Sequence, residues 1–395
     1  MAVSDRQSCT KAQQQVVFVG GFDPRGARYY QQLMVQQAQQ QQAVDGAVYG
    51  IGRRRAWHAD GSGRHSSWSV QSENGAATDY VFYEWSDVVR QHWPRQLWQV
   101  LCSACVSYAR FARQHADVRQ VYQQKPYTVW TLLYPLLYWL MVVVAALGLA
   151  AGLVLCWPTA PGALLALLLG GGMLRAGAWL DNRLHVSWLL RIFNFAQHFT
   201  QAAHDPLQAR HAQMAQALAQ QLQTQPALQI TVIGFSVGSV MSMGLLQALC
   251  PLLTPAQCQR LRWITLGNCI PLFSLLPQAH ALRAQLQSLA SHPQLWWSDI
   301  SSPSDSVSFG MCDLMRLALG RHAQPSPRYS GPQHMCTPRF HTLFTPERYR
   351  SLCRNKMRMH FQYLMAAQLP GAYDYLALIT HEQGTREFVL KRLVR

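Results

Sequence analysis

The residues best suited to chemistry lie in Gly234-Phe235-Ser236-Val237-Gly238. Glycines on both sides of a serine at this spacing fit a strand that turns sharply into a helix, where close backbones leave no space for side chains. Gln229-Ile230-Thr231-Val232-Ile233-Gly234 reads as the strand, and residues 237–250, stopped by Pro251, read as the helix. Such a turn exposes the Ser236 hydroxyl at a helix N-terminus, where the amide of Val237 can stabilise an oxyanion. A glycine-rich turn with a helix-capping serine would leave the same trace.

A serine needs a base, and the base needs an orienting acid. With this turn, the order along the chain is serine, acid, histidine. Between Ser236 and His360 the acids are Asp299, Asp305, Asp313 and Glu347. Asp305 stands just beyond the strand Leu295-Trp296-Trp297-Ser298-Asp299-Ile300, where ligand sites of open α/β sheets lie, and is the favoured acid. Asp299 lies inside that strand and is second. Of the histidines that follow, His322 and His334 fall in a Pro/Ser/Arg-rich stretch with a mobile look. His360 enters an apolar helix within Met357-Arg358-Met359-His360-Phe361-Gln362-Tyr363 and is the favoured base, with His341 second. A second oxyanion donor would come from the loop after an early strand, here Gly20-Gly21-Phe22-Asp23, through the amide of Phe22 or Gly21. Asp23 and Arg25 would stand at the mouth, paired with each other or touching substrate.

The elements around these residues read as α/β. Val16-Val17-Phe18-Val19-Gly20-Gly21 is a buried parallel strand, residues 27–44 a glutamine-rich helix, 52–77 a Gly/Ser/Arg/His loop, 79–85 a second strand, and 86–122 basic helix. Residues 205–223 read as helix and 262–267 as a further strand. Alternating strands and helices argue for a mostly parallel sheet flanked by helices.

Between the second and third strands lies a stretch unlike the rest. Residues 130–157, 28 in number, carry no charge. As a helix they span about 42 Å, enough to cross a hydrocarbon core of about 30 Å. After the turn Trp157-Pro158-Thr159-Ala160-Pro161-Gly162, residues 162–180 are interrupted only by Arg175. Tyr127, Trp130, Trp157 and Trp179 resemble interfacial belts. The reading is a two-helix transmembrane hairpin, about 130–157 and 162–180. It divides one α/β domain into parts 1–126 and 183–395, with 127–182 as the insertion. Arg110, Arg113, Arg119 and Lys125 precede it, Arg183 and Arg191 follow it, and the turn is uncharged. The positive-inside rule places both flanks in the cytoplasm.

The whole-chain composition agrees. Of 395 residues, 49% are hydrophobic and only 13% charged, which excludes a disordered chain. The formal charge is +16, carried by arginines rather than the four lysines. No zinc-finger spacing, aromatic RNA-binding signature or long basic block points to nucleic acid, so an anionic membrane surface is the better partner. Ten cysteines scattered from Cys9 to Cys353, with a polar first fifteen residues, suggest reduced thiols in a cytosolic compartment. Cys102 and Cys105 form a lone C-x-x-C that reads as two ordinary helix residues.

Val17-Phe18-Val19-Gly20-Gly21-Phe22, the 234–238 turn, Thr265-Leu266-Gly267, Ser302-Pro303-Ser304-Asp305 and His360 together resemble the α/β-hydrolase superfamily, in particular its lipase and esterase branches. The likeness spans 16–125 and 183–375 and is similar to membrane-anchored bacterial hydrolases. It implies a Ser236–His360–Asp305 triad cleaving an acyl ester, with Phe22 and Val237 as the oxyanion hole. It also implies a lipid or acyl-ester substrate, no cofactor or metal, and a two-span protein of the bacterial inner membrane facing the cytoplasm. The alternatives are a non-catalytic membrane scaffold of hydrolase-like fold, or an acyltransferase using the same triad.

Overall fold

The computed structural model describes residues 14–57, 65–73, 77–113, 118–201, 207–319 and 331–394. They form two compact units, one of residues 1–89, 204–271 and 280–395, the other of 90–203 and 272–279.

The first unit is α/β. Its strands are β1 (Gln14–Val19), β2 (Tyr49–Ile51), β3 (Arg55–Trp57), β4 (His65–Ser72), β5 (Ala77–Tyr83), β6 (Gln229–Phe235), β7 (Leu261–Leu266), β8 (Trp296–Ile300) and β9 (His334–Cys336). They make one sheet in the order β2-β4-β5-β1-β6-β7-β8-β9, with β3 beside β4. From β5 to β9 every pairing is parallel, and β2, β3 and β4 form an antiparallel edge. Helix α1 (Ala27–Asp45) sets Tyr30 against Phe18 and Phe82 of the sheet, at ring-centroid distances of 5.5 and 5.2 Å.

β1 and β6 are buried along nearly their whole length, as continuous β-branched and aromatic runs require in a sheet covered on both faces. From β1 the chain first builds toward β5 and then restarts on the other side at β6. The gap beyond the C-terminal ends of β1 and β6 is therefore a topological switch point, where α/β sheets place ligands.

The stretch 52–77, expected to be a loop, instead holds β3, β4 and the start of β5. Serines at 66, 67, 69 and 72 mask the strand signal. Trp68 and Val70 are buried, and Trp68 stacks on Tyr80 at 4.9 Å, so packing overrides local propensity. His334, expected in a mobile stretch, lies on β9, opposite Ser298 of β8. His322 lies outside the described residues.

The second unit is helical. The region 86–122 holds α2 (Ser86–Gln91), most of which belongs to the first unit, and then α3 (Leu97–Arg113) and α4 (Val118–Gln124). Then come α5 (Pro126–Cys156), α6 (Ala160–Leu184) and α7 (Val186–Gln201). At 31 and 25 residues, α5 and α6 are long and apolar enough to cross a membrane. Both exceed the spans expected from sequence, and α6 runs on through Asp181 and Arg183. The lower part of α5 is a packed base: Tyr138 and Trp139 join Val100 and Ala104 of α3 and Val186 and Leu190 of α7. The distal part has no such cover, and Leu155 and Leu167 are 82% and 74% exposed. The two hairpin helices approach through small residues. The Cβ position of Gly170 lies 3.5 Å from the Ala146 carbonyl oxygen, and Tyr138 Oη donates to the Gly177 carbonyl at 2.6 Å.

Back in the first unit, α8 (Gln208–Thr224) leads into β6, and α9 (Gly238–Leu249) leaves it.

Candidate active site

The turn between β6 and α9 is a strained elbow. Ser236 has φ +56°, a left-handed conformation that costs a non-glycine residue free energy and collects at functional sites. Its amide donates to the Leu266 carbonyl of β7 at 2.9 Å, which fixes the elbow to the sheet. Both flanking glycines are required by close approach. A Cβ on Gly238 would lie 2.0 Å from the Val19 carbonyl oxygen and 2.5 Å from that of Gly20. A Cβ on Gly234 would lie 2.6 Å from Ser242 Oγ and 2.7 Å from Ser239 Cα. The motif thus brings α9 down onto β1 and β6 together.

The loop after β1 closes on the same residue. The Cβ position of Gly21 is 3.0 Å from Ser236 Cβ and 3.4 Å from its Oγ. Phe22, the next residue, is buried against Trp85, with ring centroids 6.3 Å apart. Val237 follows Ser236 at the start of α9. Of the residues expected to supply oxyanion donors, Gly21 is the one in contact with Ser236 from the loop after β1, and Val237 adjoins it in the chain. Ser236 itself is not exposed, as the elbow pattern leads one to expect, but 4% accessible. The loop after β1 covers it on one side. On another, Cys269, in the loop beyond β7, brings its Sγ to 3.7 Å from Ser236 Oγ.

Asp305 and His360 meet as expected. Asp305 is fully buried in the loop after β8. His360 sits near the end of the short helix Lys356–Phe361, which Asn355 caps by accepting from the Arg358 amide at 2.9 Å. His360 Nδ1 lies 2.8 Å from Asp305 Oδ2. Tyr363 Oη donates to the same oxygen at 3.1 Å and accepts from the Ser302 amide at 2.7 Å. The Val307 amide donates to Asp305 Oδ1 at 3.1 Å. The carboxylate is thereby held on both oxygens, and the short-range turn bond to Val307 serves to orient the acid. Phe235, the residue before Ser236, stacks on the imidazole at 5.1 Å and 29°. His360 Nε2 is buried and has no hydrogen-bond partner; Ser236 follows Phe235 in the chain, but its Oγ meets Cys269 and is not bonded to His360.

The second-choice residues go elsewhere. Asp299 Oδ1 accepts from Thr265 Oγ1 at 2.6 Å and from Asn268 Nδ2 at 2.8 Å, which ties β8 to β7 and its loop. His341 is exposed on a 3₁₀ turn and faces the Tyr349 ring. Asp23 and Arg25 pair with each other at 2.7 Å, and Tyr30 Oη donates to Asp23 at 3.2 Å. Cys102 and Cys105 are exposed free thiols on α3. Sequence reasoning assigned no role to Tyr363 or Cys269. Tyr363 had one usable signal, a tyrosine three residues after the favoured histidine. Cys269 had none. Burial pushes the Tyr363 hydroxyl well above its ordinary pKa, and the adjoining Asp305 charge adds to this, so it stays a neutral donor.

Among the described residues no three His, Cys, Asp or Glu side chains converge as a metal site would need. The chain matches no family model, no curated protein and no solved structure.

Proposed function

We propose that the chain is a serine hydrolase of the α/β-hydrolase type, cleaving an acyl ester at a membrane surface. The observation that carries this is the buried His360–Asp305 pair, whose unpartnered Nε2 shares the Phe235 neighbourhood with a serine on a strained elbow. A buried imidazole nitrogen left without a partner costs free energy unless it serves some task.

In this reading Ser236 Oγ turns from Cys269 toward His360 Nε2 and attacks the acyl carbonyl as that nitrogen takes its proton. Asp305 keeps the other imidazole proton on Nδ1 and stabilises the imidazolium. The amides of Phe22 and Val237 receive the oxyanion. His360 then protonates the leaving alcohol, and water hydrolyses the acyl-enzyme by the same steps in reverse. Catalytic hydrogen bonds commonly tighten only when substrate is bound, so a separated Ser236 and His360 suit a resting site. The α5–α6 hairpin supports membrane anchoring, and its charged flanks favour a cytoplasmic catalytic domain.

One observation favours a second reading. Ser236 is buried and faces Cys269, as in a scaffold that keeps the fold without the chemistry. Labelling with a fluorophosphonate decides between them. We expect the wild type to label and Ser236→Ala to remain folded and unlabelled. Equal labelling of both, or none of the wild type, overturns the hydrolase reading. Transfer to an added alcohol, measured against hydrolysis, separates an acyltransferase from an esterase.

A further inference from the structure

The segment that joins β9 to the base is strongly cationic. Residues 337–361 carry Arg339, Arg348, Arg350, Arg354, Lys356 and Arg358 against the one carboxylate of Glu347. This segment is seated on the site. Tyr349, on the helix Pro346–Arg354, is hydrogen-bonded to Ser304, the neighbour of Asp305. The helix Lys356–Phe361 carries His360 itself.

Glu347 is taken by Arg350 at 3.1 Å. Arg358, two residues before His360, is half-buried and has no ion-pair partner among the described residues. Burial and the repelling charge of Arg348 both push its pKa down, and the Tyr29 side chain lies within its electrostatic reach. Tyr29 also lies beneath Arg25, whose guanidinium is 3.8 Å from the Tyr29 ring centroid and 5.4 Å from that of Phe361. Phe361 in turn meets Phe235 edge-on at 5.4 Å. Arg25 is already neutralised by Asp23, whereas neither Arg358 nor Arg348 has a carboxylate partner among the described residues. Half-burying a guanidinium beside another is unfavourable without an anion, and an anion there would receive charge-assisted hydrogen bonds.

We propose that Arg358, supported by Arg348, binds an anionic group of the substrate, a phosphate or carboxylate, so that the site selects negatively charged acyl esters. This rests on the hydrolase reading above. The same chemistry is offered by a soluble anionic ester and by an anionic lipid headgroup.

The test compares p-nitrophenyl butyrate with mono-p-nitrophenyl succinate, two esters of equal acyl length that differ by one carboxylate. The readout is the ratio of kcat/KM for succinate to that for butyrate. In Arg358→Gln the ratio is expected to fall about tenfold, the value of one charge-assisted hydrogen bond. Arg358→Lys should keep most of the ratio, and Arg350→Gln, whose charge is already paired, should leave it unchanged. In folded Arg358→Gln, an unchanged succinate ratio together with an unchanged preference for phosphatidylglycerol over phosphatidylcholine vesicles overturns the inference while leaving the hydrolase reading intact. A wild type that neither labels with fluorophosphonate nor cleaves either ester overturns both. Phosphatidylglycerol and phosphatidylcholine vesicles form the second arm. Selection seen with the soluble succinate points to a free anion; selection seen only with phosphatidylglycerol points to a lipid headgroup.

Discussion

Asp305→Asn exchanges one oxygen for an NH₂ in a site where both carboxylate oxygens already accept. Oδ1 accepts from the Val307 amide, and Oδ2 from Tyr363 Oη and the His360 side. An asparagine can face this ring of donors in two ways. With its oxygen toward Val307, its NH₂ points at His360 Nδ1, which must then accept; the ring proton moves to Nε2, and His360 can no longer take a proton from Ser236. With its oxygen toward His360, the NH₂ faces the Val307 N–H, and a buried donor is left unpaired at about 1–3 kcal/mol. The unproductive orientation is therefore favoured by a factor of about 10–100. Loss of the carboxylate charge that stabilises the imidazolium adds the rest, and the total fall in kcat is expected to be on the order of 10⁴. Initial rates on p-nitrophenyl butyrate measure it, with circular dichroism as the check on folding. His360→Ala should fall somewhat further, to the level of Ser236→Ala, and Ser236→Ala/His360→Ala should be no worse than Ser236→Ala alone, because the three groups act as a unit. A folded Asp305→Asn within tenfold of wild type refutes the reasoning. So does a folded Asp299→Asn or His341→Ala that is as inactive as Ser236→Ala.

Two further expectations concern the frame. Gly238→Ala should destabilise the first unit by about 3 kcal/mol or more, because its Cβ would lie 2.0 Å from a backbone oxygen of β1. Gly20→Ala, whose nearest neighbours are side-chain atoms at 3.6 Å, should cost less than about 1 kcal/mol; chemical denaturation that ranks the two the other way removes the close-approach account of the elbow. Ala160→Cys in a Cys156→Ser background should react with a membrane-impermeant maleimide on intact cells, whereas Cys353 should react only after permeabilisation. Reversed labelling refutes the assigned orientation, and release of the full-length chain by carbonate alone refutes the membrane anchor.

The elbow was legible in the sequence because its chemistry is local. Two glycines are demanded by backbone contacts of 2.0–2.7 Å at fixed offsets from Ser236, and no other residue type satisfies them. The Asp305–His360 pairing was legible for a different reason: chain order and strand ends restrict which acid and which histidine reach the switch point. The antiparallel edge was not legible. β4 is written in serines around Trp68 and Val70, and only the partner strand β5 makes them a sheet. β9 was hidden in the same way, since three residues carry too little periodicity to be read without β8 beside them. Tyr363 and Cys269 were missed because their roles come from contacts with residues about 30–60 positions away in sequence.

The hydrophobic hairpin and the site also differ in what specifies them. Composition alone marks α5, through 28 uncharged residues, and α6, through an apolar stretch interrupted only by Arg175. It says nothing of the packed base, where Tyr138 and Trp139 of the 31-residue α5 are buried against α3 and α7. The elements of the candidate site show the reverse: their composition is ordinary, and their meaning lies in register. Val19 stands opposite Gly234 in the β1–β6 ladder, so the loop carrying Gly21 and the elbow carrying Ser236 leave the sheet at the same level. One residue of slippage in that pairing would turn the Phe18 side chain to the opposite face and draw Gly21 out of contact with Ser236. The ring cluster of Phe18 with Tyr30, Phe82 and Phe235 resists that slip. Sheet packing remote from the serine thus sets how closely the proposed oxyanion loop approaches it.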